Sequence, residues 1–211
     1  MFGTHDFVIF LLAGITLNLM PGPDTMYIIG RSIAQGRRAG LLSALGISTG
    51  CLVHTTAAAF GLSAILVASA FAFNVVKWAG ALYLIYLGAQ LLLSKDSEEP
   101  GDIGEVPHAD LWTIYRQGLM TNVLNPKVAM FFMAFLPQFV APSQASSPLP
   151  FLFLGCVFIF TGTLWCLILA TVASGVSKTI RGRSGIFRAV RRVTGLLFVG
   201  LGIRLALQEA R

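Results

Sequence analysis

The chain has 211 residues and a formal net charge of +6; 55% of it is hydrophobic and only 11% is charged. An average soluble domain is about 25% charged, so the composition excludes an ordinary soluble fold and leaves an integral membrane protein. The basic residues cluster beside apolar runs and form no stripe interleaved with aromatics, which argues against nucleic acid as a partner and for the lipid bilayer.

At about 20 residues per spanning helix, the length fits six helices and no soluble catalytic domain. Span 1 is expected from about Asp6 to Ile29. Its apolar core, Phe7 to Leu17, lacks the basic leader and small-x-small site of a cleaved signal, so it reads as a retained helix. Asn18-Leu19-Met20-Pro21-Gly22-Pro23-Asp24 interrupts it. A proline in a helix interior costs about 3 kcal/mol and frees a carbonyl. A carboxylate at membrane depth is costly and by default marks a functional site. Arg31, Arg37 and Arg38 then read as a basic loop, with Gly30 and Gly36 helping the chain turn.

From Ala39 to Val76 no charge appears. As one helix this run would reach about 57 Å, far beyond the roughly 30 Å hydrocarbon core. A reversal is therefore predicted near Ala68 to Asn74, giving span 2 from Ala39 to Ala68 and span 3 from Asn74 to Leu93. Residues 94–110 form an acidic linker rich in proline and glycine. Span 4, Leu111 to Phe139, contains a second break, Asn122-Val123-Leu124-Asn125-Pro126-Lys127. Pro137, Pro142, Pro148 and Pro150 bracket an uncharged loop before span 5, Phe151 to Val172. A basic stretch from Lys178 to Arg192 overlaps the start of span 6, Ile186 to Gln208.

The loops joining spans 1–2, 3–4 and 5–6 hold 11 of the 15 Lys and Arg residues. The positive-inside rule puts them in the cytoplasm and both termini outside. The chain divides into repeats at 1–93 and 111–211, joined by the 94–110 linker, within one membrane domain. Three helices per half make the second half enter the membrane in the opposite sense. The expected fold is all-α, six spans as a 3+3 inverted repeat with broken helices 1 and 4.

Broken helices at corresponding positions of two halves point to a transporter site. Unwound backbone is tolerated in hydrocarbon only where protein buries it or a wet cavity borders it. Freed carbonyls suit an ammonium, and the start of a resumed half-helix suits a carboxylate. Asp24 adds an anion and Lys127 a cation, so a zwitterion matches both. The substrate-binding candidates are Asn18, Pro21, Gly22, Pro23, Asp24, Asn122, Asn125, Pro126 and Lys127. Within this set the prolines and Gly22 shape the breaks. Asn122 and Asn125 either cap freed backbone groups or bind solute, and Lys127 either meets a carboxylate of the solute or pairs with Asp24.

Asp24 and His54 are the proton-coupling candidates. The alternative for His54 is a hydrogen bond between helices, since it shares a face with Gly46 and Gly50. Trp165, Tyr83 and Tyr86 are candidates for lining the pathway, with packing or lipid-facing roles as the default. Cys51, Cys156 and Cys166 read as small apolar residues, with no C-x-x-C pair. No Ser-His-Asp arrangement, phosphate-binding loop or metal spacing suggests an enzyme, a cofactor or a metal site.

Pro21-Gly22-Pro23-Asp24, Gly36-Arg37-Arg38-Ala39-Gly40, Gly46-x-x-x-Gly50-x-x-x-His54, the stretch Lys77 to Gly88, and Asn122 to Lys127 with Phe135-Leu136-Pro137-Gln138-Phe139 together resemble the LysE/RhtB family of amino-acid exporters. The resemblance covers nearly the whole chain. It implies proton-driven efflux of amino acids or related small metabolites across the bacterial inner membrane by a secondary transporter. The alternatives are a transmembrane thiol–disulfide carrier, a metal exporter of related fold, or a channel. The first would want a Cys at each break, and the second would want clusters where His5, His54 and His108 are scattered. Gly46-x-x-x-Gly50 packs helices either within a protomer or between protomers, so a homo-oligomer is compatible.

Overall fold

The computed structural model describes residues 2–62 and 108–175, with isolated helical positions at Val75, Trp78, Ala81, Leu82, Ile85, Tyr86, Ala89, Leu92, Leu93, Leu196, Val199, Gly200 and Ile203. Apart from those positions, spans 3 and 6, most of the acidic linker and the basic 178–192 stretch lie outside the described residues, as does Tyr83. The described elements are helical. Helix α1 is Phe7–Leu19. Helix α2 is Pro23–Thr56, continued by a π-helical turn, Ala57–Leu62. Helix α3 is Leu111–Val123, and α4 is Pro126–Met130. A π-helical turn, Phe131–Phe135, and a 3-10 turn, Leu136–Phe139, continue α4, and α5 is Pro148–Gly175.

The first break falls where the prolines require it. Helix α1 ends at Leu19, Met20 is extended, and Gly22 starts α2 with Pro23 in its first turn. Proline is tolerated there because its missing N–H would have no helical partner anyway. The second break repeats the pattern. Leu124 closes α3, Asn125 caps α4, and Pro126 opens it. The two pieces of span 4 meet at a 45° bend.

The basic loop expected from Gly30 onward is shorter than the sequence suggested. Helix α2 continues through Gly30 and Arg31, both buried, and its one non-helical residue is Gly36 at φ 80°. That left-handed conformation favours glycine. The chain reverses there. Ser32 Oγ lies where a Cβ on Gly40 would stand, a contact that about 12 Å of helical rise would otherwise forbid. Asp24 and Ser48, twelve residues either side of Gly36, border one cavity. The helix persists to Gln35 because the buried Arg31 finds polar partners. Its guanidinium donates to Gln35 Oε1 and Gln117 Oε1, each at 2.8 Å, and stands 5.7 Å from the centre of the Tyr27 ring.

Two ends of the molecule follow. At one, Gly3 to His5 lie along Phe139 to Ala141, with His5 N donating to Phe139 O at 3.0 Å and Ala141 N to Gly3 O at 2.8 Å. At the other, Gln35 donates to Ala109 O at 2.7 Å beside the Gly36 turn. The segments 7–35, 37–62, 111–139 and 148–175 therefore run between these ends in alternating directions. Asp110 starts the third of them, accepting from the backbone N–H groups of Trp112 and Thr113 and from the Thr113 hydroxyl.

Small residues set the contact between α2 and α3. A Cβ on Gly46 would collide with the Tyr115 carbonyl oxygen, and one on Gly50 would stand 2.7 Å from the Leu119 carbonyl oxygen. The Gly46-x-x-x-Gly50 face thus packs within the protomer. An aromatic cluster fills the end near Val140. Phe10 meets Phe139 edge-on at 5.4 Å, and Phe131 stacks on Phe158 at 4.6 Å.

Outward faces are apolar. Phe160, Leu164, Ile168 and Val172, one turn apart on α5, are all exposed. Helix α5 has a mean hydropathy of 2.4 over its best 18-residue window. It begins at Pro148, three residues before the expected Phe151, because Pro148 and Pro150 sit in its first turn. The bent pair of span 4 is also long and apolar enough to cross a membrane. Stripes of this kind on a folded helix fit lipid rather than water.

Candidate functional site

Both breaks open onto one small cavity, which Asn18, Asp24, Asn122 and Lys127 line together. Its volume, taken to the centres of water-sized spheres, is about 50 Å³, room for roughly three or four waters.

Asp24 stands in the first turn of α2, where a carboxylate complements the positive end of the helix dipole. Its Oδ2 accepts from Asn122 Nδ2 at 2.8 Å. A carboxylate only accepts, so the amide must turn its nitrogen to Asp24 and its own oxygen away. Asp24 Oδ1 and Asn122 Oδ1 are buried with no partner. Two acceptors on cavity-lining residues are therefore unsatisfied, each costing about 1–3 kcal/mol while unpaired.

Lys127 occupies the matching place in the first turn of α4, an unfavourable position for a cation on that helix. It is compensated across the break. Its ammonium donates to Met20 O at 3.0 Å and Leu17 O at 3.3 Å, carbonyls that the end of α1 leaves short of helical partners. Two of its three protons are used in this way. Asp24 and Lys127 border the same cavity without a direct ion pair.

The remaining sequence candidates stand around these four. Asn18 Nδ2 donates to Thr161 at 3.3 Å, and its amide packs on Gly162. Asn125 Oδ1 accepts from Lys127 N at 3.0 Å, which caps α4 and orients Lys127. Pro21, Gly22, Pro23, Asn125 and Pro126 shape the breaks and lie outside the cavity lining. His54 lies outside it too. Its Nε2 is 3.0 Å from Asn122 O, and the ring stacks on Phe132. A carbonyl only accepts, so Nε2 carries the proton, and His54 holds the residue that holds Asp24.

Of the far wall, reading the sequence named only Trp165, and that as an alternative to packing. Phe158, Thr163, Trp165 and Cys166 of α5 line the cavity, as do Ser48 and Cys51 of α2. Thr163 and Ser48 share a hydrogen bond of 2.7 Å. Cys51 and Cys166 are free thiols. Helix α5 has neither a break nor a charge, so the sequence carries no local signal that one of its faces meets a polar cavity. Trp165 Nε1 is a third buried side-chain atom of the lining without a partner. Among the described residues no group of three or more His, Cys, Asp or Glu is placed to hold a metal ion.

A helical membrane fold with two broken spans around one cavity that carries an acid and a base is the architecture of a small-solute carrier. The LysE type translocator family model matches residues 15–209, and the chain belongs to that family. It is accordingly a translocator rather than an enzyme. It is 29% identical over 209 residues to the leucine efflux protein of Enterobacter sp. (strain 638), covering 97% of each chain. It is 27% identical over 207 residues to the leucine efflux protein of Klebsiella pneumoniae subsp. pneumoniae, covering 97% of this chain and 96% of that protein. It is 27% identical over 210 residues to the uncharacterized membrane protein YrhP of Bacillus subtilis, covering 96% of this chain and 99% of that one. No solved structure matches.

Proposed function

We propose that the protein is a secondary exporter of amino acids of leucine-like size across the bacterial inner membrane, coupled to protons and working by alternating access. The observation that carries this reading is the pair Asp24 and Lys127, opposite charges on one cavity with no direct ion pair between them. An α-ammonium fits the vacant acceptors Asp24 Oδ1 and Asn122 Oδ1. An α-carboxylate fits the third ammonium proton of Lys127. Leu17, Ile47, Val128 and Phe158 supply apolar wall for a side chain. The names of the leucine efflux relatives agree with such a solute.

Asp24 is also the proton site. Once the ammonium leaves outward, a proton takes the same oxygen, the carrier resets, and the proton is released inward. One carboxylate serving two cations in turn gives exchange without a second site. The cavity is smaller than an amino acid, so loading requires its walls to move apart.

The matching breaks, each with a proline first in the resumed helix and a charge second, support the 3+3 inverted repeat. The Gly36 end, with Arg37 and Arg38, is the cytoplasmic one by the positive-inside rule. Both termini then face outward. Cells preloaded with leucine should lose it several-fold faster when the protein is expressed. Equal rates for leucine and every other amino acid, with and without the protein, would contradict the reading.

A further inference from the structure

Among the described residues, three buried side-chain atoms of the cavity lining have no partner: Asp24 Oδ1, Asn122 Oδ1 and Trp165 Nε1. The first two are acceptors on the side of the breaks. The third is a donor, on α5. A buried indole N–H left unpaired costs about 1–3 kcal/mol, and Trp normally finds a partner when buried. Any aromatic or aliphatic residue would pack at this place without that cost. Nothing the size of water reaches the N–H in this arrangement, so a partner from the cavity that Trp165 borders meets it only when the lining moves.

Several neighbouring donors are already engaged. Asn18 gives its amide to Thr161, Ser48 and Thr163 bond each other, and Lys127 gives two protons to the end of α1. A carboxylate arriving beside Lys127 has several lone pairs to fill and one ammonium proton to fill them. A second donor is needed to fix its orientation, and an indole N–H is a donor only, so it discriminates for an anion or carbonyl and against an ammonium.

We infer that Trp165 is a substrate-binding residue whose indole N–H donates to the α-carboxylate of the transported amino acid, alongside Lys127. This rests on the amino-acid reading above and deepens it. It divides the cavity by chemistry: acceptors from Asp24 and Asn122 for the ammonium end, donors from Lys127 and Trp165 for the carboxylate end. It also makes α5, through Trp165, a sensor of whether the cavity is loaded.

The test compares leucine with leucinamide, which keeps the ammonium and side chain and lacks the carboxylate. In purified protein, Trp165→Phe should weaken leucine binding about tenfold, the worth of one hydrogen bond to a charged group. Leucinamide binding should stay unchanged. An equal loss for both ligands would mean that Trp165 only packs, and no loss for either would mean that it is not at the site; each overturns the inference.

A second measurement avoids dependence on how that variant folds. The chain has three tryptophans, so Trp78→Phe with Trp112→Phe leaves Trp165 as the only indole. Its nitrogen-15-labelled N–H resonance should move downfield with leucine and not with leucinamide. A resonance that ignores leucine while leucine still binds would show that only water meets the N–H, and would sink the inference alone. Failure of the unsubstituted protein to bind any amino acid would instead sink the function reading, and this inference with it.

Discussion

Lys127 spends two of its protons on carbonyls of α1 and so holds the two breaks together while leaving a charge at the cavity. Lys127→Met keeps the apolar stem and removes both bonds. The expected result is loss of transport together with a destabilisation of about 2 kcal/mol, seen as a lower melting temperature in detergent. An unchanged melting temperature would remove the capping role. The sequence made Asp24, Lys127, Asn18 and Asn122 legible because charge and amide groups at membrane depth stand out against apolar neighbours. It left the choice between an Asp24–Lys127 ion pair and separate roles open, since that depends on which carbonyls the ammonium can reach across the break. Trp165 was left to a default packing role for a different reason: a tryptophan in an apolar helix has the same sequence signature whether it packs, faces lipid or meets a cavity.

At the scale of elements, the breaks were readable because proline leaves little choice, and the structure places each within the stretch predicted for it. The first turn was only partly readable. A glycine beside an arginine looks like a loop, and Gly30-Arg31 became helix because Gln35 and Gln117 receive the guanidinium. Those partners lie one turn away and on another helix, beyond local pattern. Gly46 tests the helix contact. Gly46→Val must push its side chain into the Tyr115 carbonyl, which cannot swing aside as a side chain could. A destabilisation of about 1–3 kcal/mol is expected, measured by thermal or denaturant melts, and a stability equal to that of the unsubstituted protein would contradict the packing.

Asp110 gives the α3 terminus a pH signature. Its hydrogen bonds with Thr113, side chain and backbone, hold its carboxyl below the ordinary range. A carboxyl lowered in the folded state contributes stability that is complete above its unfolded value, near 3.8, and is lost as pH falls through the lowered one. Asp110→Asn keeps an N-cap oxygen without the titration. The variant should lose less stability than the unsubstituted protein between neutral pH and about pH 2. An identical acid dependence in melting curves would contradict the assignment.

For the whole molecule, the cavity lies between two kinds of closure. Towards the Val140 end, Phe158 borders the cavity and packs on Phe131 and Phe132, the latter edge-on at 5.4 Å. Towards the Gly36 end, Tyr27 and Arg31 tie α2 to α3 through Ile114 and Gln117. One closure is aromatic packing and the other a polar latch. Opening them in turn would give the alternating access proposed here. Composition alone made the membrane setting legible. The second reversal, predicted from span length near Ala68 to Asn74, and spans 3 and 6, apart from isolated helical positions, concern residues outside those described. The central claim is that Asp24 carries substrate and proton in turn. Its most direct test is leucine efflux from proteoliposomes with and without an imposed pH gradient, for the unsubstituted protein and for Asp24→Asn. The account predicts that the gradient accelerates efflux several-fold only while Asp24 is present; full, gradient-driven efflux in Asp24→Asn, or a rate indifferent to the gradient in the unsubstituted protein, would contradict it.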